Sequence, residues 1–448
     1  MKFFKKMKKT MAAFGVALAF AGTFAAGIGA FNTTSVAAAE IKDMGTSELN
    51  LDVKAGLAVD AKSGQILYSK NAEQVLPIAS LSKLLTVYLV LQAIHEGKLS
   101  WNQKIVPDEA SQKVSQDTNL SNVPLKEGHA YTVKALYQAT LIYSANGAAL
   151  ALGNAVAGSH KGFIDMMRKQ AQKFGINDAK IYTANGLSNS EVGDAKYPGA
   201  PDNAENEFSA KDMAIIAQRL LKDYPEVLDT TKITRMKFDN GTDQTEMENW
   251  NWMLKGLAKS YTELPVDGLK TGTSDSAGAC FVATVKKDGH RIITVVLGAK
   301  HTSQEDLSRF EETQKLMSYV FNNYNYTTLK AGMTFKGADS LPVHDGKELT
   351  TKVALKDNQD VWLKNGVQTT AIKASVKADK KLYEKDGLQA PLSKGQSVGT
   401  LALSIKGQDL AYLDGATSLN VKAKTTSEVK KANIFVIGWR AVKGLFNK

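Results

Sequence analysis

Three short strings in this chain carry residue types able to do acyl-transfer chemistry. In Ser80-Leu81-Ser82-Lys83 a serine and a lysine lie three positions apart, and on a helix those positions share a face. A serine hydroxyl is a poor nucleophile until a base takes its proton. A lysine amine is that base only when its pKa falls, and burial together with a second nearby cation lowers it. A helix N-terminus at Ser80 would also bring backbone N–H groups to a developing oxyanion. The same Ser-x-x-Lys string recurs at Ser427 to Lys430, but there it opens a basic, solvated tail, whereas Ser80 precedes a nearly unbroken apolar run.

The second string is Ser144-Ala145-Asn146. Ser-x-Asn also occurs at Ser100 to Asn102 and Ser418 to Asn420, so from residues alone it reads equally as a polar turn between helices. The third, Lys270-Thr271-Gly272-Thr273, contains the chain's one Lys-Thr-Gly. It is either the basic start of a strand or an edge strand that points an ammonium into a cleft, with a glycine that lets a substrate backbone lie close. Other chemistries lack their signatures: there is no H-E-x-x-H, no P-loop lysine, no G-x-G-x-x-G behind a strand and no G-x-S-x-G. No metal or cofactor is expected. Cys280, the lone cysteine, has no internal disulfide partner and reads as a small buried hydrophobe among Ala279, Phe281 and Val282.

The elements that must position these strings follow from pattern. Two apolar runs between Gly56 and Tyr68, parted by Lys62-Ser63-Gly64, form a hairpin, and Ser80 to His95 is a buried helix. Residues 132–157 and 161–174 are further helices, and Ser209 caps another that runs to about Lys222. Cys280 to Val285 and Arg291 to Leu297 make a hairpin around Lys287-Asp288-Gly289, and a helix over about Ser303 to Asn322 closes the unit. Strands at both ends and helices between predict an α+β fold whose terminal strands share one antiparallel sheet. From about Tyr326 to Ala423, short alternating runs separated by turns predict a small all-β domain. A Lys/Thr/Ser linker, Lys422 to Ser427, then leads to a tail whose Ile434, Phe435, Ile437, Trp439, Ala441, Val442, Leu445 and Phe446 share one arc, opposite Arg440 and Lys443, with Val436 the misfit. Such a basic amphipathic helix suits a membrane interface; the plainer alternative is docking on the protein's own core.

Of 448 residues, 43% are hydrophobic and 23% charged, which excludes a low-complexity or multispanning chain. The formal charge of +11 collects at the ends: five lysines crowd the first nine residues with no acid before Glu40, and five basic residues follow the last acid, Glu428. The body between is nearly neutral, which argues against a nucleic-acid partner. The lysine-rich start, the apolar run Met11 to Phe31 and Ala37-Ala38-Ala39 read as a cleaved export signal, residues 1–39, with an uncleaved anchor as the alternative. Either way the bulk of the chain is placed outside the cytoplasm.

Together and in this order, the three strings resemble the penicillin-recognising serine acyl-transferases. Pro77 to Lys83, Ser209 to Ala214, Val266 to Gly278 and Arg309 to Thr313 are similar to the low-molecular-mass penicillin-binding proteins that are D-alanyl-D-alanine carboxypeptidases, peptidase family S11. The resemblance implies a penicillin-binding-protein/β-lactamase-like catalytic domain over residues 40–325, a β-rich domain over 326–423, and a linker and amphipathic membrane-anchor helix over 424–448. It implies removal of the terminal D-alanine from peptidoglycan stem pentapeptides through an acyl-enzyme, with covalent binding of β-lactams and attachment to the outer face of the cell membrane. By the same resemblance, Ser80 is the acylated nucleophile, Lys83 its base, Ser144 a proton relay to the departing D-alanine, Asn146 the holder of the substrate amide and Lys83, and Lys270 the source of the cleft's field. Thr271 and Arg309 hold the terminal carboxylate, Gly272 admits the substrate backbone, and the N–H groups of Ser80 and Thr273 form the oxyanion hole. The middle motif is Ser-Ala-Asn and not the Ser-Asp-Asn of class A β-lactamases, and Glu191, Glu205 and Glu207 lack the expected surroundings of a deacylating glutamate. A β-lactamase of the same fold and a silent wall-binding protein are the rivals.

Overall fold

A computed structural model describes residues 40–303 and 305–446; the expected export signal lies outside the described residues. The N-terminal hairpin and the later strands do share one antiparallel sheet. Its order is Ile66–Lys70, Ala55–Asp60, His290–Ala299, Gly278–Lys287, Val266–Ser274, with Val266–Ser274 at an edge. These strands read as unbroken apolar runs because both faces are covered. Successive side chains alternate between faces: Val282, Ile293, Val295 and Leu297 join the helical cluster, whereas Phe281, Ala283, Ile292 and Val296 pack with Phe310, Leu316 and Val320 of helix Ser308–Asn323.

At the centre of the helical cluster, Lys83–His95 is buried around nearly its whole circumference, from Leu84 to Leu91. It is shorter than expected, because Ala79–Ser82 is a 3-10 turn and the α-helix begins at Lys83. The expected run 132–157 is likewise two helices, Val133–Ile142 and Asn146–Ala157, broken at Tyr143 to Ala145. Ser209 and Asp212 form a capping box, each side chain bonding the other's backbone N–H, and the helix they open is Ala210–Asp223. The closing helix starts five residues later than expected, after Asp306 binds the backbone N–H of Thr302 and Ser308 and organises a loop.

Beyond Asn323 the chain is β-rich. Strand Tyr324–Leu329 pairs with Gln359–Lys364, and a seven-stranded sheet follows in the order Ile372–Ala378, Ser397–Ile405, Leu419–Thr425, Thr350–Leu355, Ser340–His344, Gly387–Gln389, Tyr383–Glu384. Two expectations need correction. Leu410 to Leu413 is not a strand; it meets Gln65 by a single bridge at Tyr412. Lys422 to Ser427 is not a free linker, since Leu419–Thr425 pairs on both sides and Val429 bridges Leu392. Leu419, Val421, Ala423 and Thr425 alternate inward between exposed Asn420 and Lys422 and half-exposed Lys424, a period-2 pattern that the lysines disguise.

The five-stranded sheet and the β-rich part meet at Trp362. Its backbone N–H donates to Gln65 Oε1 and its carbonyl accepts from Gln65 Nε2, both at 2.9 Å, while its indole N–H donates to Asp60 Oδ1 at 2.9 Å. The ring packs edge-on against Phe321 and Tyr326. Trp362→Ala should therefore cost about 3–5 kcal/mol of unfolding free energy, read from urea denaturation; a loss below about 1 kcal/mol would show that the junction contributes little.

Candidate active site

The hydroxyl of Ser80 sits on the Ala79–Ser82 turn, one residue after Ala79 at φ +47°. Two glycines make room for this turn. A Cβ at Gly186, itself at φ +85°, would fall 1.9 Å from the Ala79 carbonyl oxygen, and one at Gly272 would fall 2.7 Å from the Ile78 carbonyl oxygen. The close approach that Gly272 permits here is to the Ser80 turn, where the sequence suggested a substrate backbone. Asn206 fixes the opposite side: its carboxamide accepts from the N–H of Tyr182 and Thr183 and donates to Thr183 O, while its carbonyl accepts from Ile78 N–H.

Lys83 is fully buried, and its Nζ lies 2.7 Å from Ser80 Oγ, 2.8 Å from Asn146 Oδ1 and 2.7 Å from the Asn185 carbonyl. Burial first, and then the charge of Lys270, hold its pKa well below the ordinary lysine value. A neutral amine has two hydrogens and one lone pair. Two carbonyl-type oxygens accept those hydrogens, so the lone pair is left to face the Ser80 hydroxyl.

Asn146 reaches Lys83 because the Tyr143–Ala145 break turns the chain. Ser144 takes φ +59°, sparsely populated for a residue with a Cβ, and its side chain lines the cleft beside Ser80. The carboxamide oxygen of Asn122 accepts from the N–H of Asn146 and Gly147, and Asn146 Nδ2 donates to Ser121 O. No local sequence pattern marks Asn122, Asn185 or Asn206 as site-builders; Asn185-Gly186 carries only a turn signal.

Lys270 is buried on the edge strand and donates to its neighbour's carbonyl, Thr271 O, at 2.8 Å. Burial, followed by the charge of Arg309, lowers its pKa to about 7. Arg309, buried at the start of helix Ser308–Asn323, donates to Gly272 O at 2.9 Å and is lowered to about 10, mainly by burial. Thr271, Gly272 and Thr273 join Ser80, Ser144, Asn146 and Arg309 around one cleft, which also has Leu120, Trp250, Trp252, His301 and Asp306 in its walls. The candidate residues from four distant stretches of chain therefore converge on a single site. Cys280 lies outside the cleft lining, buried, with its thiol pushed up by burial.

A helix-flanked antiparallel sheet with a serine–lysine pair under one edge is the architecture of the penicillin-binding proteins. The chain belongs to the D-alanyl-D-alanine carboxypeptidase family, S11, whose model matches residues 42–301; residues 325–431 match the C-terminal domain of penicillin-binding protein 5. It is 30% identical to D-alanyl-D-alanine carboxypeptidase DacF of Bacillus subtilis over 84% of this chain and 88% of that protein. The crystal structure of a peptidoglycan synthesis regulatory factor, PBP3, from Streptococcus pneumoniae is 33% identical, with a TM-score of 0.67 over 85% of this chain and 100% of that one. Penicillin binding protein 5 from Haemophilus influenzae, 24% identical with a TM-score of 0.65 over 86% of this chain and 99% of that one, shares the fold.

The titration of the buried amines has a defined sign. Because folding lowers both lysine pKa values, the unfolded chain binds more protons and stability rises with pH, from about 7 for Lys270 towards the ordinary lysine value. Between pH 8 and 9, wild type should gain about 1.4 kcal/mol more unfolding free energy than Lys270→Gln. The same substitution removes a cation facing Lys83, so the acidic limb of kcat/KM should move to higher pH; a limb that stays put, with equal stability slopes, would contradict the coupling.

Proposed function

We propose that this chain is a serine-type D-Ala-D-Ala carboxypeptidase that removes the terminal D-alanine from peptidoglycan stem pentapeptides and is acylated by β-lactams. The observation that carries the proposal is the 2.7 Å contact between Ser80 Oγ and a buried amine whose remaining hydrogens are taken. In this reading Ser80 Oγ attacks the penultimate D-alanine carbonyl as Lys83 accepts its proton. Backbone N–H groups of Ser80 and Thr273 hold the oxyanion. The C–N bond then breaks as Ser144 relays the proton from Lys83 to the leaving amine, and D-alanine departs. Water, giving a proton to the again neutral Lys83, attacks the ester; that proton passes to Ser80 Oγ as the ester C–O bond breaks, which returns the free serine and a shortened acid.

The charges of the cleft support a substrate that ends in a carboxylate. Lys270 and Arg309 are buried side by side at the site, and neither sits in an ion pair among the described residues. Asp306, the one carboxylate lining the cleft among the described residues, is bound by the side chain and N–H of Thr302 and the N–H of Ser308. Arg309 and Thr271 would receive the terminal carboxylate. No glutamate of the region reaches the cleft lining: Glu191 binds Ser188, Glu205 binds Ser274 and Ser276, and Glu207 pairs with Lys180. This favours carboxypeptidase over β-lactamase, and a base placed against a serine has no use in a silent wall-binding protein. Ser80→Ala should abolish both D-alanine release from a synthetic pentapeptide and covalent labelling by penicillin; release at the wild-type rate would refute the mechanism.

We further propose that residues 40–325 form the catalytic domain and 326–423 the core of the β-rich one, that residues 1–39 direct export, and that the enzyme rests on the outer face of the cytoplasmic membrane. No helix among the described residues is long and apolar enough to cross a membrane. Helix Ile434–Phe446 leaves Phe435 84% and Trp439 70% exposed, with Ile434 and Val442 beside them, and so does not bury its apolar face on the protein's core. Arg440 turns inward instead and donates to Gly346 O and Lys347 O at 2.6 and 3.0 Å, while Lys443 is exposed. Ala432 N–H bonds Asp345 O, so a clean truncation begins at Ile434. Removing residues 434–448 should shift active enzyme from the membrane to the soluble fraction upon cell fractionation; retention on the membrane would point to the N-terminal segment.

A further inference from the structure

One face of the seven-stranded sheet is basic, and the acyl-transfer chemistry makes no use of it. Four adjacent strands, Ile372–Ala378, Ser397–Ile405, Leu419–Thr425 and Thr350–Leu355, hold between them five lysines and no acid. Their inward residues are fixed by burial, since Ile372, Leu403, Val421 and Leu355 pack in one apolar cluster. Alternation along each strand then turns Lys352, Lys373, Lys377 and Lys422 outward, and all four are exposed, with Lys424 half-exposed. Strand register puts the five on a single face. Thr400 stands opposite both Lys377 and Lys422, Ser404 opposite Lys373, and Ala354, two residues after Lys352, opposite Lys424.

Neighbouring strands are about 4.8 Å apart, so the backbones at Lys377 and Lys422 are about 10 Å apart across Thr400, and those at Lys422 and Lys424 about 7 Å apart along one strand. Like charges at these spacings repel one another, and nothing nearby relieves them. None of the five lysines meets a carboxylate among the described residues, whereas Lys62, Lys161 and Lys211 each do. The acids of this region stand in the connections, as with Asp357, Asp379, Asp409 and Asp414.

We propose that this face binds a linear, phosphate-bearing polymer that runs across several strands. Exposed Ser375, Thr400, Ser404 and Asn420 lie among the lysines and add neutral hydrogen-bond donors. Point-charge ammonium groups with such donors between them suit phosphate oxygens; paired recognition of carboxylates calls for arginine, and the four strands contain none. A lipid surface is the poorer match. No outward residue of the face is apolar and larger than alanine, so it has nothing to insert into a bilayer, unlike helix Ile434–Phe446 with its exposed Phe435 and Trp439. The inference goes beyond the carboxypeptidase reading and does not depend on it: it gives the β-rich part a tethering role of its own.

The test is fluorescence polarisation of labelled linear polyphosphate titrated with the full chain. Wild type should bind, more weakly as salt rises. The triple variant Lys373→Gln, Lys377→Gln, Lys422→Gln should bind at least about tenfold more weakly at low salt, and the slope of log Kd against log salt should shrink by roughly one for each lysine removed. A matched triple, Lys113→Gln, Lys161→Gln, Lys232→Gln, removes the same charge from ion-paired positions elsewhere and should bind as wild type does. An unchanged urea midpoint in both variants would tie the difference to the face and not to folding. No binding by wild type, or an equal loss in the two triples, would overturn the assignment. So would a face variant that still binds polyphosphate but loses phosphatidylglycerol vesicles, because the lysines would then serve the membrane.

Discussion

The structure turns on keeping one amine neutral while it touches one hydroxyl. An ammonium at Lys83 would donate three hydrogens and leave Ser80 with no base; a neutral amine held by Asn146 Oδ1 and Asn185 O has one lone pair, and the geometry aims it. Neutrality requires burial, which explains why the helix beginning at Lys83 is apolar on every side and runs through the middle of the molecule. A surface helix with the same Ser-x-x-Lys string would keep its lysine protonated.

Burial alone does not fix the serine. Ser80 projects from a 3-10 turn because Ala79 adopts a left-handed conformation, and that turn persists because backbone closes on it from two directions, at Gly186 and at Gly272. Ser144 is held in a similarly unfavourable conformation on the other side of the cleft. Non-glycine residues at such angles typically cost on the order of 1 kcal/mol or more each. The dense packing around them, with Leu81 and Leu84 fully buried, is what offsets that cost.

Much of this was legible in the sequence, and the failures have physical reasons. The one-sheet α+β fold followed from strands at both ends of the unit, and the three strings that converge on the cleft stood out by residue type. The helix starts at Ser80 and through Tyr143 were misplaced because the apolar pattern continues across both; a left-handed alanine or serine leaves no periodic trace, and its cause, a neighbouring glycine, lies about a hundred residues away in sequence at Gly186. Strand Leu419–Thr425 was half hidden because its outward positions are Asn420, Lys422 and Lys424, which read as a solvated linker when the inward residues are small. Apart from Asn146, the buried asparagines carry no such mark, since Asn is ordinarily a turn residue and nothing in its local surroundings announces burial.

Those asparagines share a logic with the lysine. Asn122, Asn146, Asn185, Asn206, Asn249 and Asn251 all shape the cleft, and all but Asn122 are almost fully buried. Each satisfies backbone groups or Lys83 with a neutral dipole. An aspartate at position 146 would be nearly isosteric and could accept the same bond from Lys83, but its charge would stabilise the ammonium and raise the pKa that burial and Lys270 lower. It would also lose the N–H that now donates to Ser121 O. Carboxylates are kept at the rim, as with Asp306, or tied to serines and lysines beyond the lining, as with Glu205 and Glu207. The result is a polar interior in which Arg309 and Lys270 have no carboxylate partner among the described residues, so that the strongest available counter-ion is one that arrives with the substrate.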